Sequence, residues 1–369
     1  MSDSVHFFKP NGSIQTRLYA VERPNRRLTT QHLTPHLVST SSAEYLAGSV
    51  HPSRPLVIAF GAWVPEGLAR FEWLSTLEKL WPHLGEFNVL LLRDTKNAWY
   101  QRGMLGLGQD VQATAEAIQK HIQQIQPSVV VTVGASMGAY AAIMFAKLLG
   151  AARCLAFAPL STLDIEVAKA AGEWRWLDVM QTLASEPTGN WCPDLLQLLN
   201  QDGPSPEVHL VYGLAGGEPG APQLDPWHAQ RLAQANQVFL HPIAEAQHDV
   251  AWTLKHLGLL PGLLLELIDR PQTLRVDSHS HMDGRGDWAR HDGWLSGPHC
   301  PAPMANVGIT LNLRCRIAAD LLSKQTPQQV LLGLLDDGIS PETAMRAVAD
   351  LSRWCRFNQG RPTEADVSL

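Results

Sequence analysis

Charged side chains are scarce in this chain of 369 residues. Asp, Glu, Lys and Arg make up 17% of it, with a formal balance of −6. So small an acidic surplus provides no general attraction for nucleic acid or for an anionic membrane surface. Long apolar runs are missing as well. The stretch LGLLPGLLLELI (257–268) holds 12 residues and includes a proline, where a membrane-spanning helix needs about 20. The opening MSDSVHFFKPNGS lacks the basic, then apolar, then small-residue order of a secretory signal. The five cysteines (Cys154, Cys192, Cys300, Cys315, Cys355) are odd in number and scattered. That fits a reducing compartment better than a disulfide framework, so the expected location is the cytoplasm. No internal repeat occurs. What is present is a hydrophobic share of 45%, the mark of a globular chain. Its length suits one large core with an appendage.

Along the chain, apolar runs alternate with helix-period segments. Strands are expected at 55–60 (PLVIAF), 87–93 (FNVLLLR), 128–133 (SVVVTV), 153–158 (RCLAFA), 207–213 (EVHLVYG) and 237–243 (QVFLHPI). The first four are nearly unbroken apolar runs, as strands covered by helices on both faces should be. Helices are expected at 66–80, 109–125, 137–149, 226–235 and 250–269, the last broken near Gly258 and Pro261. This order predicts an α/β fold built on a mostly parallel, doubly wound sheet with right-handed crossovers. Residues 1–54 are expected to add one or two strands, SIQTRLYAVE being one candidate.

The stretch VVVTVGASMGAY (129–140) carries the chemistry. A buried strand runs into Gly134-Ala135-Ser136-Met137-Gly138, and an alanine-rich helix follows. A G-x-S-x-G pentapeptide acts as a nucleophile elbow only at such a strand-to-helix turn, where the serine is held strained with its hydroxyl above the sheet. A tight glycine-packed corner without catalysis is the bland alternative. Two further residues weigh against it. Asp225 follows the strand VHLVYG, and His248 follows QVFLHPI. Each stands beyond a strand's carboxyl end, where an open sheet places its site. Serine, acid, histidine is the order found in α/β-hydrolases, and other triad enzymes use other orders.

From about residue 55 to 269 the chain resembles the α/β-hydrolase superfamily, and its G-A-S-M-G is similar to the elbow of bacterial serine hydrolases. The resemblance implies a serine hydrolase acting on an ester, thioester or amide through an acyl-enzyme, with Ser136 as nucleophile, His248 as base and Asp225 as acid. Esterase, thioesterase and acyltransferase types share this machinery. The backbone N–H groups of Met137 and Ala62 would form the oxyanion hole; Ala62 follows Gly61, before which this chain has Phe60 where relatives often have histidine. A non-catalytic member of the fold, binding a ligand or partner, is the reading from a different class.

Each assignment has a rival. Asp164 follows the strand after the elbow, a second position for the acid. His228 shares a helix face with Asp225 as its local partner, His241 lies within a strand, and His256 lies within the last helix. Trp63, Asp94, Trp99 and Tyr100 are candidates for the substrate pocket, with helix or turn capping as the plainer role for Asp94. Residues 161–205, with Trp174, Trp176 and Trp191, occupy the usual place of a lid. The expected organisation is a hydrolase domain over 1–270, a polar Gly-rich linker over 271–308 and a small C-terminal helical appendage over 309–369, able to dock a protein partner. In the linker, Asp277, His279, His281 and Asp283 look like the D-x-H-x-H opening of amidohydrolases. That fold needs a barrel of about 250 residues, far more than the chain beyond Val276 provides, so no metal and no cofactor are expected. In the appendage, Thr326-Pro327 and Ser340-Pro341 read as capped helix starts, with Gly338 closing the first helix.

Overall fold

The computed structural model describes residues 5–8, 14–17, 44–269 and 311–351, apart from short breaks at 49, 65–70, 81–83, 187–190, 219–220, 223, 245, 324, 342, 346 and 349–350. The linker and its Asp277, His279, His281 and Asp283 lie outside the described residues. Near the start, β1 (Val5–Phe8) and β2 (Ile14–Arg17) pair antiparallel, and β2 falls within SIQTRLYAVE.

Seven strands form the main sheet: β3 (Tyr45–Ala47), β4 (Leu56–Phe60), β5 (Asn88–Leu92), β6 (Val130–Ala135), β7 (Arg153–Phe157), β8 (Glu207–Gly213) and, after a two-residue hairpin of β9 (Gly217–Glu218) and β10 (Ala221–Pro222), β11 (Val238–Ile243). Their spatial order is β11-β8-β7-β6-β4-β5-β3, and only the edge strand β3 runs antiparallel. The expected mostly parallel, doubly wound sheet is therefore present. Its six long strands begin and end within about two residues of the positions that apolar runs alone suggest.

Alternation explains the two layers. Along β4, Val57 and Ala59 enter one hydrophobic cluster, while Leu56, Ile58 and Phe60 enter the other. Strands β5 and β7 divide in the same way, since successive side chains point to opposite faces. Each Val, Leu, Ile or Phe among them contributes roughly 1.5–3 kcal/mol by leaving water. One layer is built on α3 (Met137–Leu149), a helix with apolar residues on every side and nearly all of them buried. Its Lys147 is also buried, and its ammonium donates to the carbonyls of Leu199 (3.4 Å) and Gln201 (2.6 Å). In the same layer lies α2 (Val111–Ile125), capped by Asp110.

The other layer holds α1 (Leu74–Leu77), α8 (Val250–His256) and α9 (Leu260–Asp269). The expected helix over 250–269 breaks at Gly258, whose φ is +74°. Among the described residues no single helix is long and apolar enough to cross a membrane. The pair over 250–268 has that length only when both helices are counted across a bend of 103°.

The segment between β7 and β8 forms α4 (Ile165–Ala171), α5 (Leu177–Ser185) and α6 (Leu195–Leu199). After β8 comes α7 (Asp225–Leu232). Near the C-terminus, α10 (Leu311–Leu322) packs against β11, and its Cys315, Ile317 and Ala318 join the same cluster as Leu263 and Leu264 of α9. It thus covers a strand that would otherwise leave an open sheet edge. Helix α11 (Pro327–Asp336) starts at a capping box between Thr326 and Gln329, and Gly338 follows its end with φ +81°.

Candidate active site

The sheet order reverses between β4 and β6. The chain leaves β4 toward β5 on one side and returns to β6 on the other, so the loops beyond these two strands diverge and leave a crevice. Gly61 and Ala62 follow β4, and Ser136 ends β6, so the crevice brings the two expected donor loops together.

Ser136 stands between β6 and α3 with φ +53° and ψ −117°. A non-glycine residue holds such a conformation only where its surroundings over-determine it. Here its N–H donates to the Phe157 carbonyl at 2.8 Å, and its own carbonyl accepts the first turns of α3 from Ala139 (3.0 Å) and Tyr140 (3.1 Å). The flanking glycines serve close approach. A Cβ on Gly138 would lie 2.3 Å from the Phe60 carbonyl oxygen, and one on Gly134 would lie 2.0 Å from that of Gly138.

The loop after β11 is pressed onto the end of β8 in the same manner, a Cβ on Gly213 meeting the Ala246 oxygen at 2.2 Å. That packing fixes where His248 emerges. Its Nε2 lies 3.0 Å from Ser136 Oγ, and its Nδ1 lies 2.9 Å from each carboxylate oxygen of Asp225. The Asp225 side chain is 1% exposed and the His248 side chain 33%. With Nδ1–H donated to a buried carboxylate, Nε2 is left as an acceptor for the serine hydroxyl. Asp225 is the first residue of α7, where a carboxylate also suits the helix dipole.

The rivals have other partners. Asp164 caps α4, accepting from the N–H groups of Glu166 (2.9 Å) and Val167 (3.0 Å). His241 faces His209 at 3.1 Å, and His256 Nδ1 lies 3.0 Å from the Trp252 carbonyl. His228 does lie on α7 beside Asp225, but its ring bonds elsewhere. Nδ1 accepts the Ser161 N–H at 3.0 Å, which leaves Nε2–H to donate to Glu173 at 3.3 Å. Burial lowers the His228 pKa and outweighs the opposing effect of Glu173.

Met137 opens α3, and its N–H has no hydrogen-bond partner among the described residues. The Ala62 N–H is engaged: it donates to the Glu72 carboxylate at 2.9 Å. Sequence reading passed over Glu72, because only tertiary packing brings it to that loop.

The four candidate pocket residues divide. Trp63 is half-buried, and its ring lies 5.4 Å from that of Trp176, which is 5.0 Å from that of Trp99. This aromatic group joins the loop after β4 to the segment between β7 and β8. Trp99 and Tyr100 are fully buried beneath that loop, where the Tyr100 hydroxyl donates to the Gly61 carbonyl at 3.0 Å. Burial pushes the Tyr100 phenol well above its ordinary pKa. Asp94, also buried, accepts from the N–H groups of Lys96 (3.0 Å), Ala98 (2.8 Å) and Tyr100 (2.8 Å). It organises a turn in which Asn97, Trp99 and Tyr100 all have positive φ. Burial raises the Asp94 pKa, against the pull of those N–H groups.

A polar chain extends from Asp225 into the segment between β7 and β8. The Arg175 guanidinium lies 3.8 Å from Asp225 and is clamped by the fully buried Glu173, with Nε at 2.9 and 3.0 Å from its two oxygens and Nη2 on one of them. Burial opposes ionisation of Glu173, but hydrogen bonds from His228 and Arg175 prevail and hold its pKa down to about 2. The only sequence signal was EWRW (173–176), opposite charges two residues apart between tryptophans.

The described cysteines lie buried or half-buried and protonated. Burial pushes the Cys154, Cys192 and Cys315 thiols each up to about 12, far from reactive thiolates. Among the described residues no group of three His, Cys, Asp or Glu side chains is placed to hold a metal ion.

The sheet reverses next to Ser136, and Asp225 and His248 follow its last two long strands. The chain has the α/β-hydrolase fold. No protein-family model and no curated protein matches it, but solved structures do. A thermophilic esterase from the planctomycete Thermogutta terrifontis aligns at 14% identity and a TM-score of 0.43, over 64% of this chain and 93% of the esterase. The capsule O-acetyltransferase of Neisseria meningitidis serogroup A aligns at 14% identity and a TM-score of 0.41, over 63% of this chain and 98% of that one. An α/β-hydrolase enzyme from a lagoon-sediment metagenome reaches 17% identity and a TM-score of 0.38, over 63% and 95%. At such scores these likenesses carry no argument about activity; the functional reading rests on the geometry of Ser136, His248 and Asp225.

Proposed function

We propose that the chain is a serine hydrolase that cleaves an ester, thioester or amide through an acyl-enzyme. One observation carries the reading: Ser136 Oγ, His248 Nε2 and the Asp225 carboxylate form a continuous hydrogen-bonded line at the mouth of the sheet. His248 takes the Ser136 proton as Oγ attacks the acyl carbon, then returns it to the leaving group. Asp225 keeps the imidazole in the tautomer that presents Nε2 as acceptor and stabilises the imidazolium. The Met137 N–H, and the Ala62 N–H once Glu72 yields it, stabilise the tetrahedral oxyanion by about 3 kcal/mol per donor. Trp63, on the loop that carries Ala62, walls the acyl or leaving-group side. Water resolves the acyl-enzyme in a hydrolase, and a second nucleophile resolves it in an acyltransferase. The three described cysteines are free thiols, which supports a reducing compartment such as the cytoplasm.

A fluorophosphonate probe tests this reading. Labelling is expected at Ser136 and should vanish in Ser136→Ala. A folded wild-type protein that takes no label would turn the assignment toward a binding module on the same fold. A panel of p-nitrophenyl esters and acyl-CoA thioesters, with and without added alcohol acceptors, then separates the substrate classes.

A further inference from the structure

We propose that Arg175 is a positioning residue for the acid, supplied by the segment between β7 and β8, which holds Asp225 ionised and aimed at His248 Nδ1. This deepens the proposed function and rests on its assignment of Asp225 and His248.

Two carboxylates, Asp225 and Glu173, lie buried close together, with 1% and 0% side-chain exposure. Two unneutralised carboxylates at such a site repel, and burial favours protonating one of them. The Arg175 guanidinium answers both: it is clamped by Glu173 and stands 3.8 Å from Asp225 Oδ1. Glu173 is itself fixed from the opposite side by His228, which Ser161 orients. His228 lies three residues along α7 from Asp225, so the helix carrying the acid is tied to the same clamp that holds the arginine. The backbone assists: the Arg175 N–H donates to Glu173 at 3.0 Å, and the Glu173 N–H donates to the Ala168 carbonyl at the end of α4 at 2.9 Å.

Among the described residues, the ionisable groups placed about His248 are Asp225 from α7 and, behind it, Arg175 and Glu173 from the segment between β7 and β8 with the buried His228 of α7; Asp249 adjoins it in its own loop. Removing the one cation of this set leaves the imidazolium facing more uncompensated negative charge. The charged form of His248 is then favoured over the neutral form that acts as general base. A lysine at 175 keeps the charge but not the bidentate fork.

The experiment is an NMR titration of the His248 imidazole, assigned with His248→Gln, in full-length wild type, Arg175→Lys, Arg175→Met and Arg175→Gln. Fluorophosphonate labelling rates at Ser136 are measured in parallel. Arg175→Met is expected to move the titration midpoint upward by about half a unit to one unit, as loss of a partly screened cation predicts. Arg175→Lys should keep the wild-type midpoint. Arg175→Gln, which can still hydrogen-bond to Glu173, should follow Met and serves if the Met variant folds poorly. A midpoint that is the same in all four proteins overturns the proposal. If the wild type takes no label while the midpoint still moves, the hydrolase reading fails and the Arg175–Asp225–His248 coupling stands.

Discussion

Asp225→Asn is the substitution that most sharply separates the proposed acid from its rival. Both oxygens of Asp225 stand 2.9 Å from His248 Nδ1, and the carboxylate itself is buried. An asparagine of the same shape offers one acceptor and one NH₂ group. Once the NH₂ faces Nδ1, the imidazole must carry its proton on Nε2, which then points at Ser136 Oγ and cannot accept. The imidazolium formed during attack also loses its counter-charge. A wrong tautomer of this kind lowers kcat by on the order of 10³–10⁴, or about 4–5.5 kcal/mol of transition-state stabilisation. Burial is unchanged, so the fold should survive. The assay is turnover of a p-nitrophenyl ester together with thermal melting of both proteins. Asp164→Ala is the control: it removes the α4 cap at a cost of about 1 kcal/mol in stability and leaves kcat unchanged. If Asp225→Asn keeps more than about a tenth of wild-type turnover while an Asp164 variant loses it, the acid has been misassigned.

Three other outcomes are expected. Glu72→Ala frees the Ala62 N–H from its 2.9 Å hydrogen bond and should raise kcat/KM by about threefold to tenfold, the worth of one exposed charge-assisted hydrogen bond; a fall would mean that Glu72 holds the loop in its working shape. Ser136→Gly removes a side chain from a backbone at φ +53° and should stabilise the fold by about 1 kcal/mol while abolishing labelling, so a lower Tm would show that the turn is unstrained. Because burial depresses the pKa of His228 below its ordinary value near 6.5, its contribution to stability is present above about pH 6.5 and is lost as pH falls toward the folded value. Urea midpoints should therefore begin to decline as pH falls below about 6.5, above the range in which the contribution of Glu173 is lost, between about 4.5 and its folded pKa of about 2. His228→Gln should flatten the decline, and an unchanged slope would refute the linkage.

What the sequence made legible follows the range of the forces involved. Strand and helix positions come from apolar periodicity within a few residues, so β8 and α3 have the limits expected from the patterning of 207–213 and 137–149. The line through Ser136, His248 and Asp225 spans 112 residues, but each member is bound to a strand's carboxyl end, and a parallel sheet gathers those ends. Order along the chain was then enough to bring the three into view. The short helices between β7 and β8 were not separately visible, nor was α10, because their limits depend on caps such as Asp164 and Asp194 and on contact with the sheet. The edge strand β3 is three residues long, too short to show a period.

Least visible were the pairings with no such geometric guide. The Glu72 carboxylate reaches Ala62, and Glu173 joins His228 across 55 residues. In a sequence, Glu173 and Arg175 read as a solvated charge pair, which is what opposite charges two apart usually are. Their burial depends on which side chains pack above them, a property of the assembled layer rather than of any window of residues. The site thus divides by the origin of its parts. Ser136, His248 and Asp225 are placed by sheet topology and can be read from order alone. Arg175 and Glu173 beside Asp225, and Glu72 at the Ala62 loop, are placed by packing of the intervening segments. It follows that substitutions in the segment between β7 and β8 should alter the rate and pH dependence of an otherwise intact line of Ser136, His248 and Asp225. Substitutions in the strands should instead cost the fold before they reach the chemistry.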